Sequence, residues 1–194
     1  GTIEGKIRKQ LTDYEALDFR ISKLNLTKES YLEDLENKHN ALEISDYVRE
    51  NDQEISKPVI ESYNFKDNGD VEIINGKMYI SPMLYLVGRE NPFKLEKREF
   101  PIDFSYPFQE KYLINIDIPK GYAVESLPKA VNMVTGDDIG VFKYLISSEG
   151  DKIQISVTFE IKTPIVSTDY YEVIKDFYQK VVDKENEKIV FVKL

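Results

Sequence analysis

The sequence predicts an α+β fold made mainly of antiparallel, sandwich-like β-sheet, with two N-terminal helices and one C-terminal helix packed on it. Three observations point there. Residues 153–161 alternate apolar and polar side chains without a break, the period of a half-buried strand. An Asn75-Gly76 pair sits between two short apolar runs, which is the turn chemistry of a tight hairpin. Helical spacing is confined to the two ends of the chain, so strands and helices do not alternate as a parallel sheet would require.

In order, residues 2–11 carry Ile3, Ile7 and Leu11 between charged neighbours and read as a half-exposed strand. Thr12-x-x-Glu15 has the capping-box pattern, and Tyr14, Leu17, Ile21 and Leu24 follow at helical spacing, predicting a short amphipathic helix. A second helix is expected after Thr27, with Tyr31, Leu32, Leu35, His39 and Leu42 on one side and Glu29, Glu33, Glu36 and Lys38 mostly elsewhere. From Val59 the period becomes two. Asp67-Asn68-Gly69-Asp70 marks a turn, after which Val71–Ile74 and Lys77–Ile80 should pair across Asn75-Gly76, whose residues tolerate the positive φ of a type I′ turn.

Pro82, Gly88 and Pro92 punctuate residues 81–97, which read as a loop within one β-rich domain spanning 1–194, with 82–97 as its one candidate sub-boundary. Tyr112, Ile114, Ile116 and Ile118 then alternate until Pro119-Lys120-Gly121 stops the strand. Phe142, Tyr144 and Ile146 form another, residues 147–151 turn the chain, and Ile153, Ile155, Val157, Phe159 and Ile161 complete the clearest strand pair. Ser167 or Thr168 can cap a last helix, with Asp169 near its positive end and Tyr170, Ile174, Phe177 and Val181 along its face. The apolar residues 189–192 should dock into a sheet as a terminal strand.

Composition then removes function classes. With 26 Lys+Arg against 35 Asp+Glu the net charge is -9, and there is no long basic stripe, so nucleic acid is not an expected partner. The longest apolar runs are too short for a transmembrane segment. The absence of Cys removes thiol catalysis, disulfides and Cys-ligated zinc, and a single His leaves no multi-His metal site. The chain opens at Gly1 without the basic and apolar regions of a signal peptide, and is expected to be a fragment or a mature form. Asn25-Leu26-Thr27 matches a glycosylation sequon, but Thr27 is also where a helix cap is wanted, and the cap is the favoured reading.

The candidate chemistry is sparse. His39, the one imidazole, reads as a packed or half-exposed helical residue, because the Gly-x-Ser-x-Gly elbow of a hydrolase is absent. Nothing selects one pair among the many carboxylates. Asp67, Asp70 and Glu72 lack the calcium-loop pattern and read as turn residues, as do Asp137 and Asp138. No phosphate-binding glycine motif occurs. The 13 Tyr and 10 Phe could build a stacking platform, yet their spacing suits core and cross-strand packing. Lys94, Lys97 and Arg98, interspersed with Glu96 and Glu99, read as a solvated mixed-charge surface. No catalytic residue, metal ligand or cofactor is therefore expected.

One stretch carries a resemblance. Asn91-Pro92-Phe93-Lys94, Glu96-Lys97-Arg98, Pro101-Ile102-Asp103-Phe104 and Tyr106-Pro107 are followed by Ile118-Pro119, Gly121-Tyr122 and Val124-Glu125-Ser126-Leu127-Pro128. This pattern, clearest over residues 90–194, resembles the C-terminal β-rich domain of unknown function that follows a transglutaminase-like, cysteine-peptidase-fold domain in exported proteins of Gram-negative bacteria. In that family the active-site Cys, His and Asp lie in the preceding domain, and none can be carried onto this chain. The resemblance implies a non-catalytic accessory or interaction domain, periplasmic or at the cell surface, whose partner is the adjacent transglutaminase-like domain. The alternative is an autonomous peptide- or glycan-binding module. An independent enzyme would need two buried carboxylates of raised pKa across a cleft. Tyr106, Phe108 and Tyr122, placed by loops rather than inside alternating strands, are the candidate ligand or partner contacts.

Overall fold

The computed structural model describes residues 1–23, 25–39 and 41–194. The chain falls into two compact units, 1–72 and 73–194. The 82–97 stretch runs as irregular chain inside the second.

In the first unit β1 (Ile3–Leu11), β2 (Leu42–Glu50) and β3 (Val59–Asp67) form an antiparallel sheet in the order β1-β3-β2, and α1 (Asp13–Lys23) and α2 (Lys28–Lys38) connect β1 to β2. Central β3 alternates strictly, burying Val59, Glu61, Tyr63, Phe65 and Asp67. Gly5 faces Phe65 across the ladder because a Cβ there would lie 2.6 Å from the ring. Thr27 caps α2 as expected, its hydroxyl accepting from Ser30 N at 3.1 Å. Asp67 also turns the chain as expected, its carboxylate accepting from Gly69 N at 2.7 Å.

Two expectations need correction here, and one strand was not anticipated. The second helix stops at Lys38, His39 closes it, and Leu42 opens β2 instead of continuing the helical face. Strand β2 itself escapes a search for alternation because it is bulged: Ser45 pairs with Asn64 and Val48 with Ser62, leaving Asp46 and Tyr47 against one residue. Asp46 takes the required positive φ of 52°. The extra residue switches parity, so Leu42 and Ile44 turn inward before it and Tyr47 and Arg49 after it. On α1, the stripe of Tyr14, Leu17 and Ile21 is 57%, 45% and 70% exposed, while Ala16 and Phe19 are buried; Leu24 lies outside the described residues. The buried face is set by its partners, since Phe19 meets Tyr31 edge-on at 5.9 Å.

In the second unit β7 (Phe108–Asp117), β11 (Lys152–Ile161), β10 (Gly140–Glu149) and β9 (Val131–Val134) make one antiparallel sheet in that order. A second sheet has the order β4 (Val71–Ile74, whose first two residues belong to the first unit), β5 (Lys77–Ile80), β13 (Ile189–Lys193) and β8 (Tyr122–Ser126). A short pair joins β6 (Ile102–Asp103) to β12 (Ile165–Val166). The Asn75-Gly76 turn has φ of 52° and 79°, as a type I′ turn demands. The α+β, mainly antiparallel prediction holds, and the terminal strand docks between β5 and β8. Strand β10 runs on to Glu149, so the turn before β11 is shorter than residues 147–151. Helix α3 (Tyr171–Glu185) buries Tyr171, Ile174, Phe177 and Val181. No described helix is long and apolar enough to cross a membrane.

A feature without sequence signal holds the β2–β3 loop. Arg20 of α1 donates to the carbonyls of Asn51, Asp52, Glu54 and Lys57 at 2.8–3.0 Å. Replacing Arg20 with Ala removes all four charge-assisted bonds, although the Asn51 and Glu54 carbonyls keep the N–H donors of Glu54 and Lys57. The expected loss is about 2–3 kcal/mol of stability, with hydrogen exchange at residues 51–57 accelerated more than at β3; unchanged exchange in that loop would contradict the clamp.

Candidate functional site

Tyr106, Phe108 and Tyr122 are each half-buried. Phe108 opens β7, and its ring meets Phe104 at 6.1 Å and Phe159 at 5.7 Å, so it serves the core. Tyr106 sits in a tight turn where its N–H donates to the Phe104 carbonyl at 2.8 Å. Tyr122 opens β8, beyond the opposite end of β7. Ten residues of strand separate those ends, a span of about 30 Å. The three do not share one surface.

The motif residues around Asn91 turn out to be a clip. The Asn91 side chain, 7% exposed, donates from Nδ2 to the Lys175 carbonyl of α3 at 2.8 Å and accepts from Phe93 N at 2.9 Å. Phe93 packs edge-on against Tyr178 at 4.9 Å and Tyr171 at 6.0 Å. Tyr171 Oη and Lys175 Nζ both donate to the Leu95 carbonyl, at 2.8 and 2.7 Å. The irregular chain after β5 is thereby fastened to α3. The basic residues beside it are engaged in the same way: Lys94 pairs with Glu90 at 2.8 Å, and the Arg98 guanidinium lies 6.0 Å from the Tyr171 ring centroid. In the acidic turn, Asp138 pairs with Lys162 at 2.6 Å and Asp137 accepts from Tyr170 Oη.

Each unit also buries a polar cluster. In the first, Arg49 lies 4.9, 4.7 and 5.6 Å from the centroids of Phe19, Tyr31 and Tyr47. Its Nε donates to Tyr47 Oη at 2.8 Å, and Tyr47 Oη donates to the buried Glu61 carboxylate at 2.5 Å. Burial, then the Glu61 charge and hydrogen bond, push the Tyr31 hydroxyl pKa up; burial and the Glu61 hydrogen bond do the same to Tyr47. The phenols therefore stay protonated and serve as donors to the carboxylate.

In the second unit Tyr144, Val157 and Tyr112 form one row across the sheet. Lys184 is 8% exposed, and its ammonium donates to the Lys129 carbonyl at 3.1 Å and Glu187 at 2.7 Å, 5.9 Å from the Tyr144 centroid. Glu185 is 6% exposed, and burial followed by the charge of Glu110 raises its pKa to about 8. Glu110 itself is exposed and accepts from Tyr112 Oη at 2.9 Å. One buried acid beside an exposed one is not the pair across a cleft that acid–base hydrolysis calls for. Among the described residues no group of three or more His, Asp or Glu could hold a metal.

Each unit also holds a concavity. One of about 280 Å³ lies in the first unit between α1, α2 and the end of β1, floored by Leu11, Phe19, Tyr31 and Leu35. The other, about 410 Å³, lies in the second unit between residues 118–124 and the β10–β11 turn, and includes Lys120, Tyr122, Val124, Ser148 and Asp151. Of the anticipated contact residues, Tyr122 lines this groove. The groove escapes sequence reading because two distant turns build it.

The Glu185 environment has a pH consequence. Its folded pKa of about 8 lies above the ordinary 4.5, so the folded state holds the proton more tightly than the unfolded chain. This contribution is intact below the unfolded value and is lost as pH rises towards and through 8. Urea titrations should show stability falling between about pH 5 and about pH 9, and Glu185→Gln should flatten that fall. Parallel curves for the two proteins would refute the assignment.

Comparison with curated proteins gives no match. Among solved structures the chain is similar to one from Parabacteroides distasonis ATCC 8503 described as a "putative protease", with a TM-score of 0.51, 12% sequence identity, and coverage of 63% of this chain and 24% of that one. At this identity the likeness is one of fold, and the chain spans about a quarter of that structure's length. Residues 76–191 match the family described as a domain of unknown function with solved structure, DUF3858. The matched segment contains the Asn91 clip, the β7-β11-β10-β9 sheet and α3, more than half of the chain. The chain therefore belongs to the DUF3858 family.

Proposed function

We propose that this chain is a non-catalytic accessory module of a larger, transglutaminase-like and peptidase-related envelope protein, where it packs beside the catalytic domain and helps position substrate. The observation that carries this reading is the recurrence of the fold of 63% of this chain as about a quarter of a longer chain described as a "putative protease". Two facts support it further. The sequence has no Cys, and its one His closes α2 at the edge of the first unit. The buried Tyr47–Glu61 pair and the Lys184 ammonium are held in hydrogen bonds within their own clusters. A second reading, a peptide-binding module, is favoured by the groove at Tyr122.

Calorimetry of this chain against the separately expressed transglutaminase-like segment of its parent tests the first reading. Saturable binding with a negative heat-capacity change is expected, because docking buries apolar surface. Turnover of labelled casein by this chain alone, or no heat at high micromolar concentration, would overturn it.

A further inference from the structure

The geometry points to the free edge of β8 as a site where an extended peptide adds as a further strand. The hydrogen-bond parity of the edge supports this. Leu194 N donates to the Gly121 carbonyl at 2.8 Å, and Tyr122 pairs with Lys193. In an antiparallel ladder that bond places Tyr122 and Lys193 in a non-hydrogen-bonded pair. Ala123 then spends both backbone groups on Val192, and Val124 turns its N–H and C=O away from β13. Tyr122 turns the same way, but its N–H is taken by the Pro119 carbonyl at 3.0 Å, leaving its C=O. Strand β8 is the last in its sheet, so no neighbouring strand takes these groups.

One donor and two acceptors at strand spacing therefore face outward, on residues that line the 410 Å³ groove together with Ser148, Gly150 and Asp151. Single polar groups would suit many ligands. A donor and acceptor on one residue, with a second acceptor two residues away, match the backbone of an extended peptide, which offers the complementary set on alternate residues. The edge also lacks the usual deterrents where it matters: residues 122–124 are Tyr, Ala and Val, with no Lys and no Pro. Its length is limited. Glu125 is the bulged residue against β13 and is held by Lys77 at 2.6 Å, so the usable edge ends at Val124 and takes a short segment. Lys120 and Asp151 place both charge signs at the groove, consistent with a peptide of no strong net charge. This deepens the peptide-binding reading above and does not depend on a catalytic neighbour.

The test uses the full 194-residue chain, labelled with 15N. The probe is an acetylated, amidated peptide of alternating threonine and valine with lysine at one end and glutamate at the other, compared with the same peptide N-methylated at its central amide. Amide shifts are expected to concentrate on residues 118–124 and 148–151. The N-methylated probe should bind about tenfold more weakly, since it loses a backbone bond. Val124→Pro removes the outward N–H without breaking the β13 ladder and should weaken binding by about tenfold as well, while the remaining spectrum is kept. Should that variant unfold, the N-methylated probe still decides the matter. Equal binding of both probes, shifts elsewhere, no shifts at millimolar peptide, or saturation of the groove by a cello-oligosaccharide but not by the peptide would each overturn strand addition. Those outcomes leave the docking experiment with the transglutaminase-like segment untouched, so the two readings fail separately.

Discussion

Ile153, Ile155, Val157, Phe159 and Ile161 all turn to one face of β11, and none is more than 8% exposed. Because the side-chain period of a strand is two, a slip of one residue would put all five into water. Burial is worth about 1.5–3 kcal/mol for each such side chain, so the penalty is comparable to the whole net stability of a domain of this size. The register of β11 is thus fixed, and with it those of β10 and β7, which pair along its whole length. Helix α3 then has one apolar surface on which to lie, and Phe177 and Tyr178 meet Phe159 at 6.0 and 5.3 Å. The Asn91 clip fastens to α3 in turn, so the irregular chain after β5 takes its place from the same row of side chains.

The first unit is organised around a different constraint. Central β3 turns Glu61 inward, at 2% exposure, between apolar and aromatic neighbours. A buried carboxylate costs several kcal/mol unless it is paired and hydrogen-bonded. Tyr47 supplies a hydroxyl and Arg49 a positive charge, but both reach the inner face only because the bulge at Asp46 shifts the parity of β2. Tyr31 and Phe19 then enclose the guanidinium from α2 and α1. This requirement explains why α1 buries Ala16 and Phe19 and leaves Tyr14, Leu17 and Ile21 outside. The helix follows the partner that needs a ring, not the longer apolar stripe.

The same distinction runs through residues of the segment that matches the family. Asn91 and Phe93 hold a loop, while Gly121 turns the chain into β8 with φ of 82°. Their side chains and dihedrals account for the fold, and a recognition surface has to be sought beside them. The groove at Tyr122 is such a place, where a turn, an edge strand and a distant hairpin meet.

Several elements were legible from the residues alone. Alternation from 153 to 161, the Asn75-Gly76 turn, the Thr27 cap and the terminal apolar strand each depend on local patterning that a chain displays without knowing its neighbours. Composition likewise determined that no thiol chemistry and no Cys-ligated metal is open to this chain. What the tertiary structure decided is of another kind. The inward face of α1, the bulged strand β2, the four carbonyls gathered by Arg20, the raised pKa of Glu185 and the free backbone groups of Val124 all depend on which residues far apart in sequence come together. Periodicity reports how a segment can be amphipathic, but the face that is buried and the edge that stays open are settled by the shape and charge of what packs against it.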